Sequence, residues 1–355
     1  MEINPYFYDL DFTQLSEILQ SWGEPAYRAQ QVWRAKYKNL VATPGEIPNI
    51  PKTLRNQINE YFQFSHLEPE TVLQSKDGET IKTLFRLPDN NAIEAVLMRY
   101  EERNTLCIST QSGCAMGCVF CATGQMGFRR NLSSGEIVEQ VIYYAHQLRQ
   151  ANQAITNVVL MGMGEPFHNY DACMTAIDRM NHPDGLGLGA RRFTISTVGL
   201  VPMIRRFANE HRQVNLAISL HATDNETRER LLPINKKYPL EELLKSCREY
   251  VDKTHRRITF EWALIQDVND SVEQAHQLGR LLSGLLCHVN VIPLNPTRGY
   301  TGAATTQARA NEFRKELERL GIPCTIRIRR GIDIHAGCGQ LAVASSTGSL
   351  NKLPD

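Results

Sequence analysis

The 355-residue chain contains no uninterrupted apolar run of about 18 residues, so no membrane-spanning helix is expected. It also lacks charge imbalance. Lys and Arg total 39 and Asp and Glu 38, a formal net charge of +1, so a nucleic-acid partner would have to be met by local basic patches. Its first residues do not resemble a secretory leader, because Glu2, Asp9, Asp11 and Glu17 interrupt them. A reducing cytoplasm is the expected compartment. There, nine cysteines point to metal or redox roles rather than a disulfide framework. Hydrophobic content of 42% and charged content of 22% are those of an ordinary globular protein. No internal repeat is visible beyond an alternation of strands and helices.

What is present is concentrated between Ser112 and Gly124, where Cys114, Cys118 and Cys121 stand in the spacing C-x3-C-x2-C. A structural zinc site, or an iron–sulfur cubane ligated only by protein, takes four ligands. Only three are offered here, and the next Cys or His along the chain is His146. A cubane on three thiolates leaves one iron open. That iron can chelate S-adenosylmethionine (SAM) through its amino and carboxyl groups and pass an electron to the sulfonium, releasing a 5′-deoxyadenosyl radical. The alternative is a zinc knuckle, or cysteines adjacent by chance. Thiolates suit both zinc and Fe–S clusters, so the ligand count is what separates the two. With Phe120 just before the last cysteine, the stretch resembles the radical-SAM signature.

Residues 1–65 read as a small helical domain. Thr13 can cap a first helix, which Gly23 would stop. Pro25 can open a second, and a third begins near Pro51. The second carries Arg28, Arg34, Lys36 and Lys38 with no acid, interleaved with Tyr27, Trp33 and Tyr37. That pattern fits either RNA binding or a helix with buried aromatics and solvated bases, and spacing does not choose between them. Residues 66–100 read as a β-meander leading to the rest of the chain, with turns at Asp77-Gly78 and Pro88-Asp89. Its last strand holds a single acid, Glu94, which by pattern would face solvent.

From residue 101 to 343 strands alternate with helices, which calls for parallel strands with crossover helices: an α/β fold, a partial (β/α)6 TIM-type barrel. Strands are expected near 106–111, 156–161, 192–197, 214–219, 257–264 and 287–292, with a seventh near 324–329. Ser133 and Glu136 form a capping-box pattern for the helix over 133–149. Cys173, Cys247, Cys287 and Cys324 fit small buried hydrophobes. Ligand sites in such barrels lie beyond the C-terminal strand ends. There the chain places Gly162-Met163-Gly164-Glu165-Pro166, then Ser196, Ser219-Leu220-His221 and Asn295. Each is individually a common turn or cap residue, but their recurrence at successive strand ends favours a ligand site. A last loop, Gly331 to Gly339, holds Cys338 between glycines, and Cys107 lies on the first barrel strand. A pair of thiols outside the cluster motif suggests thiol chemistry during turnover. The small, polar tail 344–355 is expected to be flexible.

Together these motifs resemble the RlmN/Cfr family of radical-SAM RNA adenine methyltransferases. The resemblance runs from Gly23-Glu24-Pro25-Ala26-Tyr27-Arg28 through the three cysteines and Gly162-Met163-Gly164-Glu165 to Cys338-Gly339-Gln340-Leu341. Pro166 and the pair Ile292-Pro293 are similar to the RlmN branch, and Ile334-His335-Ala336-Gly337 departs from both branches. The resemblance implies a [4Fe-4S] cluster on Cys114, Cys118 and Cys121, and SAM held by Gly164, Glu165, Ser196, Ser219, Leu220, His221 and Asn295. It implies methylation of adenine C2 in 23S rRNA and tRNA with two SAM per turnover. Cys338 would carry the methyl as S-methylcysteine, Glu94 accept the C2 proton, and Cys107 resolve the adduct through a transient disulfide. The Cfr branch methylates C8 instead. A flavodoxin or ferredoxin would supply electrons, and a monomer is expected. Arg129, Arg130, Arg191, Arg192, Arg327, Arg329 and Arg330 would meet RNA phosphates near the barrel mouth.

Overall fold

The computed structural model describes residues 4–342; the tail expectation over 344–355 lies outside the described residues. The strands are β1 (Glu68–Gln74), β2 (Thr80–Arg86), β3 (Ala92–Tyr100), β4 (Arg103–Cys107), β5 (Gln111–Gly113), β6 (Phe128–Asn131), β7 (Asn157–Leu160), β8 (Phe193–Thr197), β9 (Asn215–Ser219), β10 (Ile258–Leu264), β11 (Cys287–Pro293) and β12 (Cys324–Ile326). Ten form one sheet in the order β1-β2-β3-β4-β7-β8-β9-β10-β11-β12, and β5 pairs β6 separately. From β4 to β12 neighbouring strands are parallel, as the strand–helix alternation predicts. The radical-SAM reading expects this mostly parallel, partial barrel.

Two details differ from expectation. The meander does not merely lead to the barrel. β3 pairs antiparallel with β4, matching Val96 to Cys107, so its strands extend the barrel's own sheet. The first barrel strand is also shorter than the apolar run suggests. It stops at Cys107, and Gln111–Gly113 turns away to pair with Phe128–Asn131. The cysteine loop is therefore enclosed in a hairpin rather than hung directly on a barrel strand. Gly113 makes the closure possible. Its φ is +72°, and a Cβ there would lie 1.9 Å from the Gly127 carbonyl oxygen.

Register fixes which side chains look inward. In β8 to β11 the aligned set Ser196, Ala217, Thr259 and His288, and the next set Ser219, Glu261 and Asn290, lie on one face. The alternate residues Phe193, Ile195, Phe260 and Trp262 are fully buried against the surrounding helices. The helix Ser134–Gln150 opens with the expected Ser133–Glu136 capping box.

The N-terminal helices span Phe12–Ser21, Tyr27–Trp33 and Lys52–Tyr61, the second continuing as a π-turn over Arg34–Lys38. Asp11, not Thr13, caps the first: its carboxylate accepts from Gln14 N, and Gln14 answers the Asp11 N–H. Gly23, with φ +83°, ends it as expected. Phe7, Tyr8, Trp33, Tyr37 and Ile58 form a buried core here. The basic second helix is mostly committed to the protein itself. Lys36 is buried and donates to the carbonyls of Val41 and Ala42 at 2.8 and 3.0 Å. Arg34 pairs with Asp184, and Arg28 donates to the Asn49 carbonyl. Trp33 and Tyr37 are core, so the buried-aromatic alternative describes most of this helix.

This domain is fastened to the barrel by buried polar groups. Arg179, on the helix Tyr170–Asn181, donates to the Tyr8 carbonyl and the Ser134 hydroxyl at 2.6 Å. Glu139 accepts from Ser65, His66 N and Leu67 N at 2.6, 2.9 and 3.1 Å, and from the Tyr6 hydroxyl. Replacing Arg179 by Met leaves the Tyr8 and Asp9 carbonyls without donors. Arg179→Met should lower stability by about 3 kcal/mol in urea unfolding; a loss below about 0.5 kcal/mol, the range of an ordinary surface change, would show that the joint does not depend on this residue.

Candidate active site

The cysteine loop begins at the bulged end of the β5–β6 hairpin. Cys114 and Cys118 are buried and Cys121 is half-buried. The loop's outer side packs on an apolar group made by Leu231, Leu232, Ile265 and Leu294. Val119 N donates to the Leu231 carbonyl at 3.1 Å, and the Phe120 ring meets His221 edge-on. Burial raises the Cys118 thiol and pushes Cys114 up to about 12, with Glu165 and Cys121 adding to both rises. With their thiols raised in this way, Cys114 and Cys118 stay protonated on their own, and a bound metal would have to displace those protons. Among the described residues no three His, Cys, Asp or Glu side chains converge on a single ion. A cubane gives each thiolate its own iron, so thiols spread around one loop fit it.

Two adjoining cavities open from this loop. The first contains Gly164, Glu165, Ser196, Ser219, His221 and Asn295 together with Cys118 and Cys121. Six of the seven residues expected to hold the cofactor therefore line one space. Leu220 does not: its side chain is fully buried in the core and lines neither cavity. The second cavity lies between the meander and the last loop and contains Met98, Tyr100, Cys107, Arg327 and Cys338. Cys338, Asn295, Arg327 and Cys121 belong to both walls.

Gly164 has φ +102°, and a Cβ on it would press within 2.6 Å of the Gln111 side chain, so the turn before Glu165 requires glycine. Glu165 is buried, and its two oxygens accept from Phe167 N at 3.0 Å and Val198 N at 2.9 Å. Burial lifts its carboxyl to about 7, against hydrogen bonds from Thr197, Val198 and Phe167 that pull it down. His221 is buried with φ +61°, and its Nδ1 accepts from Ala263 N at 2.9 Å. Burial, with Arg228 beside it, lowers it to about 3, so the ring is neutral and its Nε2 carries the proton. Arg228, fully buried, donates to the Leu220 and Val198 carbonyls and to Asn235, stitching the ends of β8 and β9 together.

The Cys338 loop closes the side of the barrel between β12 and the meander. Ala122 N donates to the Gly339 carbonyl at 2.7 Å, Thr123 Oγ1 to the Leu341 carbonyl at 2.6 Å, and Asn295 Nδ2 to the Cys338 carbonyl at 3.0 Å. On the other side Lys76 N donates to Asp333, and Lys82 Nζ to the His335 carbonyl at 3.1 Å. The unusual His335 is exposed and joins the closure through its backbone, its carbonyl accepting from Lys82 and its N–H donating to the Ile332 carbonyl at 3.1 Å, so its side chain does not disturb the closure. Cys338 is open to the cavity, with Arg327 nearby countering a rise in its pKa from the surrounding protein. Cys107 is buried and pushed up to about 12, Arg327 again opposing.

Glu94 reverses the pattern-based expectation of a solvent-facing acid. It is 4% exposed, 3.0 Å from Lys82 Nζ, and accepts from Ala342 N at 3.0 Å. Burial raises its pKa while Lys82 draws it down. It lines neither cavity; it lies behind the Cys338 loop. Its partner Lys82, on the neighbouring strand β2, is buried as well.

The arginines divide. Arg129, Arg191, Arg192 and Arg329 are exposed. Arg130 is paired with Asp89 and Glu136, and Arg330 with Glu79. Arg327 points inward, 3.6 Å from Glu261 Oε2, and is a cavity wall rather than a surface base. Glu261 was missed altogether. Its signal was a lone acid in the apolar strand Ile258-Thr259-Phe260-Glu261-Trp262, the same signal that Glu94 gave. Of the cysteines expected as small hydrophobes, Cys173, Cys247 and Cys287 are buried, and Cys324 is half-buried.

Comparison with known proteins agrees with this architecture. Residues 108–278 match the radical SAM superfamily, and residues 6–63 match the ribosomal RNA large subunit methyltransferase N-terminal domain. The chain is 49% identical to a probable dual-specificity RNA methyltransferase RlmN of Chloroflexus aurantiacus, over 94% of this chain and 92% of that protein. It is 47% identical to dual-specificity RNA methyltransferase RlmN 1 of Myxococcus xanthus, over 98% of this chain and 97% of that one. It superposes on the crystal structure of a radical SAM methyltransferase from Sphaerobacter thermophilus with a TM-score of 0.93 and 49% identity, covering 95% of this chain and 99% of the other.

With Glu165 lifted to about 7, the folded chain keeps this proton over a range where the unfolded chain has lost it. Folding therefore loses stability as pH rises from the ordinary carboxylate range to 7, and nothing further is lost above. Glu165→Gln cannot ionise and escapes that loss. In cluster-free protein, wild type should lose about 2–3 kcal/mol relative to the variant between pH 5 and pH 8 in urea unfolding; parallel pH profiles would refute the assignment.

Proposed function

The chain belongs to the RlmN family of radical-SAM RNA methyltransferases, and on that premise we propose that it methylates C2 of adenine, using Cys338 as the carrier of the methyl group. The substrates in this reading are 23S rRNA at the peptidyl-transferase centre and tRNA at the adenine 3′ of the anticodon. Membership in the family also sets aside the zinc-knuckle alternative. The observation that carries the reading is the shared wall: Cys338 borders both the cavity of the cluster cysteines and the cavity that contains Cys107.

Radical SAM proteins use a [4Fe-4S] cluster and SAM. In this chain Cys114, Cys118 and Cys121 would hold the cluster, with Glu165, Ser196, Ser219, His221 and Asn295 around SAM. When bound, the pair supplies a methyl group and, by one-electron cleavage, a radical that abstracts hydrogen; one SAM is consumed for each role.

Adenine C2 lies between two ring nitrogens and has no lone pair to attack a sulfonium, so direct displacement is closed to it. A thiolate has such a pair. Cys338 would take the methyl and present it on the wall between the cavities; burial raises its thiol, and Arg327 opposes that rise. After hydrogen is removed from that methyl, its carbon joins C2 and ties Cys338 to the RNA. Glu94 would then accept the C2 proton as the adduct gives up its unpaired electron to the electron carrier, leaving a closed-shell thioether. In the resting arrangement the Glu94 oxygens hold Lys82 and Ala342 N, so this role requires the segment after Cys338 to shift. Cys107 would attack the Cys338 sulfur, forming the Cys107–Cys338 disulfide; the C2 methylene leaves with the C–S electron pair and takes up the proton given up by the Cys107 thiol, becoming the methyl group, and reduction by two electrons with two protons restores both thiols. Arg129, beside the cluster loop, and Arg329, at the Cys338 loop, are the exposed bases that would meet RNA phosphates; Arg191 and Arg192, expected at the mouth, instead precede β8 at the opposite strand ends. An electron carrier such as flavodoxin or ferredoxin would serve the cluster, and the enzyme would act as a monomer in the cytoplasm.

Mass spectrometry of digested rRNA decides the position of the methyl. Deleting the gene should remove 2-methyladenosine, and loss of 8-methyladenosine instead would assign the Cfr-type C8 reaction. Cys107→Ala should leave the thioether unresolved and trap protein covalently on RNA, seen as a shifted band in denaturing gels. If that variant consumes SAM but yields no adduct, Cys107 does not resolve it.

A further inference from the structure

Glu261 stands in the middle of β10 on the face that looks into the barrel, aligned with Ser219 of β9 and Asn290 of β11. It is 4% exposed and lines the cavity that contains Glu165, Ser196, Ser219 and His221. One carboxylate oxygen, Oε1, accepts from Asn290 Nδ2 at 3.0 Å. The other, Oε2, accepts no hydrogen bond among the described residues, and the Arg327 guanidinium beside it stays 3.6 Å away. Asn290 thus fixes the carboxylate's orientation and leaves a buried acceptor facing the cavity. Such a group costs more than a satisfied one by roughly the desolvation of its free oxygen, so a ligand that brings a donor recovers that loss.

We propose that Glu261 is a contact for the nucleoside part of SAM, with Oε2 accepting a hydrogen bond from a ribose hydroxyl. This rests on the reading that the first cavity holds SAM. The other donors of that ligand are less suitable. Its methionyl amino group belongs at the cluster end beside Gly164 and Glu165, and its sulfonium has no hydrogen to donate. The exocyclic amine of adenine offers donors at one point only. A ribose offers two adjacent hydroxyls, and two facing groups await them on neighbouring strands: the Ser219 hydroxyl and Glu261 Oε2. Paired strands lie about 4.8 Å apart, a distance a vicinal diol bridges with one hydrogen bond to each side. Burial raises the Glu261 pKa, and Arg327 and Asn290 oppose that rise. Glu261 therefore acts on the cofactor's sugar, apart from the thiols that handle the methyl.

The test uses cluster-loaded, full-length protein prepared without oxygen. It is titrated with 5′-deoxyadenosine, with the analogue lacking both ribose hydroxyls, and with methionine, which has no ribose. Wild type should bind the hydroxylated nucleoside about tenfold or more tightly than the analogue, the range for a hydrogen bond to a charged acceptor. Glu261→Met should erase that preference, Glu261→Gln should restore part of it, and methionine affinity should be unchanged in all three. An equal preference in wild type and Glu261→Met overturns the proposal, as does an equal loss of methionine binding, which would mean a collapsed site. Should Glu261→Met fail to fold, wild type alone decides, because equal affinity for the two nucleosides is enough to reject the contact. Protein that carries its cluster yet binds neither SAM nor 5′-deoxyadenosine would instead overturn the underlying assignment of the cavity, and this contact with it.

Discussion

The hydrogen bond from Ala122 N to the Gly339 carbonyl joins the two loops on which everything else depends. One loop carries the cluster cysteines, and the other carries the thiol proposed to move the methyl. They are far apart in the chain, yet Thr123 also donates to the Leu341 carbonyl, and Asn295, just after β11, holds the Cys338 carbonyl from a third side. A group held by several such bonds gives up most of its freedom before any ligand arrives. The placement of Cys338 on a wall between two cavities follows from this latch, since the loop has nowhere else to pack once the barrel is left open at β12.

The meander completes that arrangement from the other side. Because β3 pairs with β4, Cys107 sits inside a continuous sheet, with Val96 of the meander directly opposite it. The same strands contribute Lys82 and Glu94, a buried ion pair that holds both the His335 carbonyl and Ala342 N. A buried pair of this kind adds little net stability against an apolar substitute, but leaving one partner alone would be costly. Its presence ties the protonation of Glu94 to the position of the segment that bears Cys338. The helical domain plays a different part. Its basic second helix spends Arg28, Arg34 and Lys36 on holding the domain together and onto the barrel.

Much of the site was legible before any coordinates. The three cysteines and the missing fourth ligand predicted an open iron because ligand counting is local chemistry. The strand ends were legible because an apolar run of four to seven residues followed by a small polar one marks where a parallel strand leaves the sheet. Ser133 and Glu136 named the start of their helix, since a capping box is satisfied within four residues. The failures have a common origin. Glu94 looked like a solvent-facing acid, Glu261 drew no reading, and Arg327 was grouped with the RNA-facing bases, because an isolated strand does not reveal that its polar face is the inside of a barrel. Leu220 was grouped with its polar neighbours although alternation sends its side chain to the core. Asp11 displaced Thr13 as a cap because both can start a helix and only the backbone decides which one does.

The sequence by itself determined the chemistry on offer: thiols in number for a cluster with one iron free, a glycine turn before an acid, and parallel strands to bring their ends together. These depend on residue type and spacing within a few positions, so no distant contact can alter them. Only the tertiary structure decided which charges are buried and what each faces, because burial is a property of the closed sheet and the loop that seals it. The cavities, the inward turn of Arg327 and the unpaired oxygen of Glu261 exist because strands far apart in sequence are neighbours in the barrel.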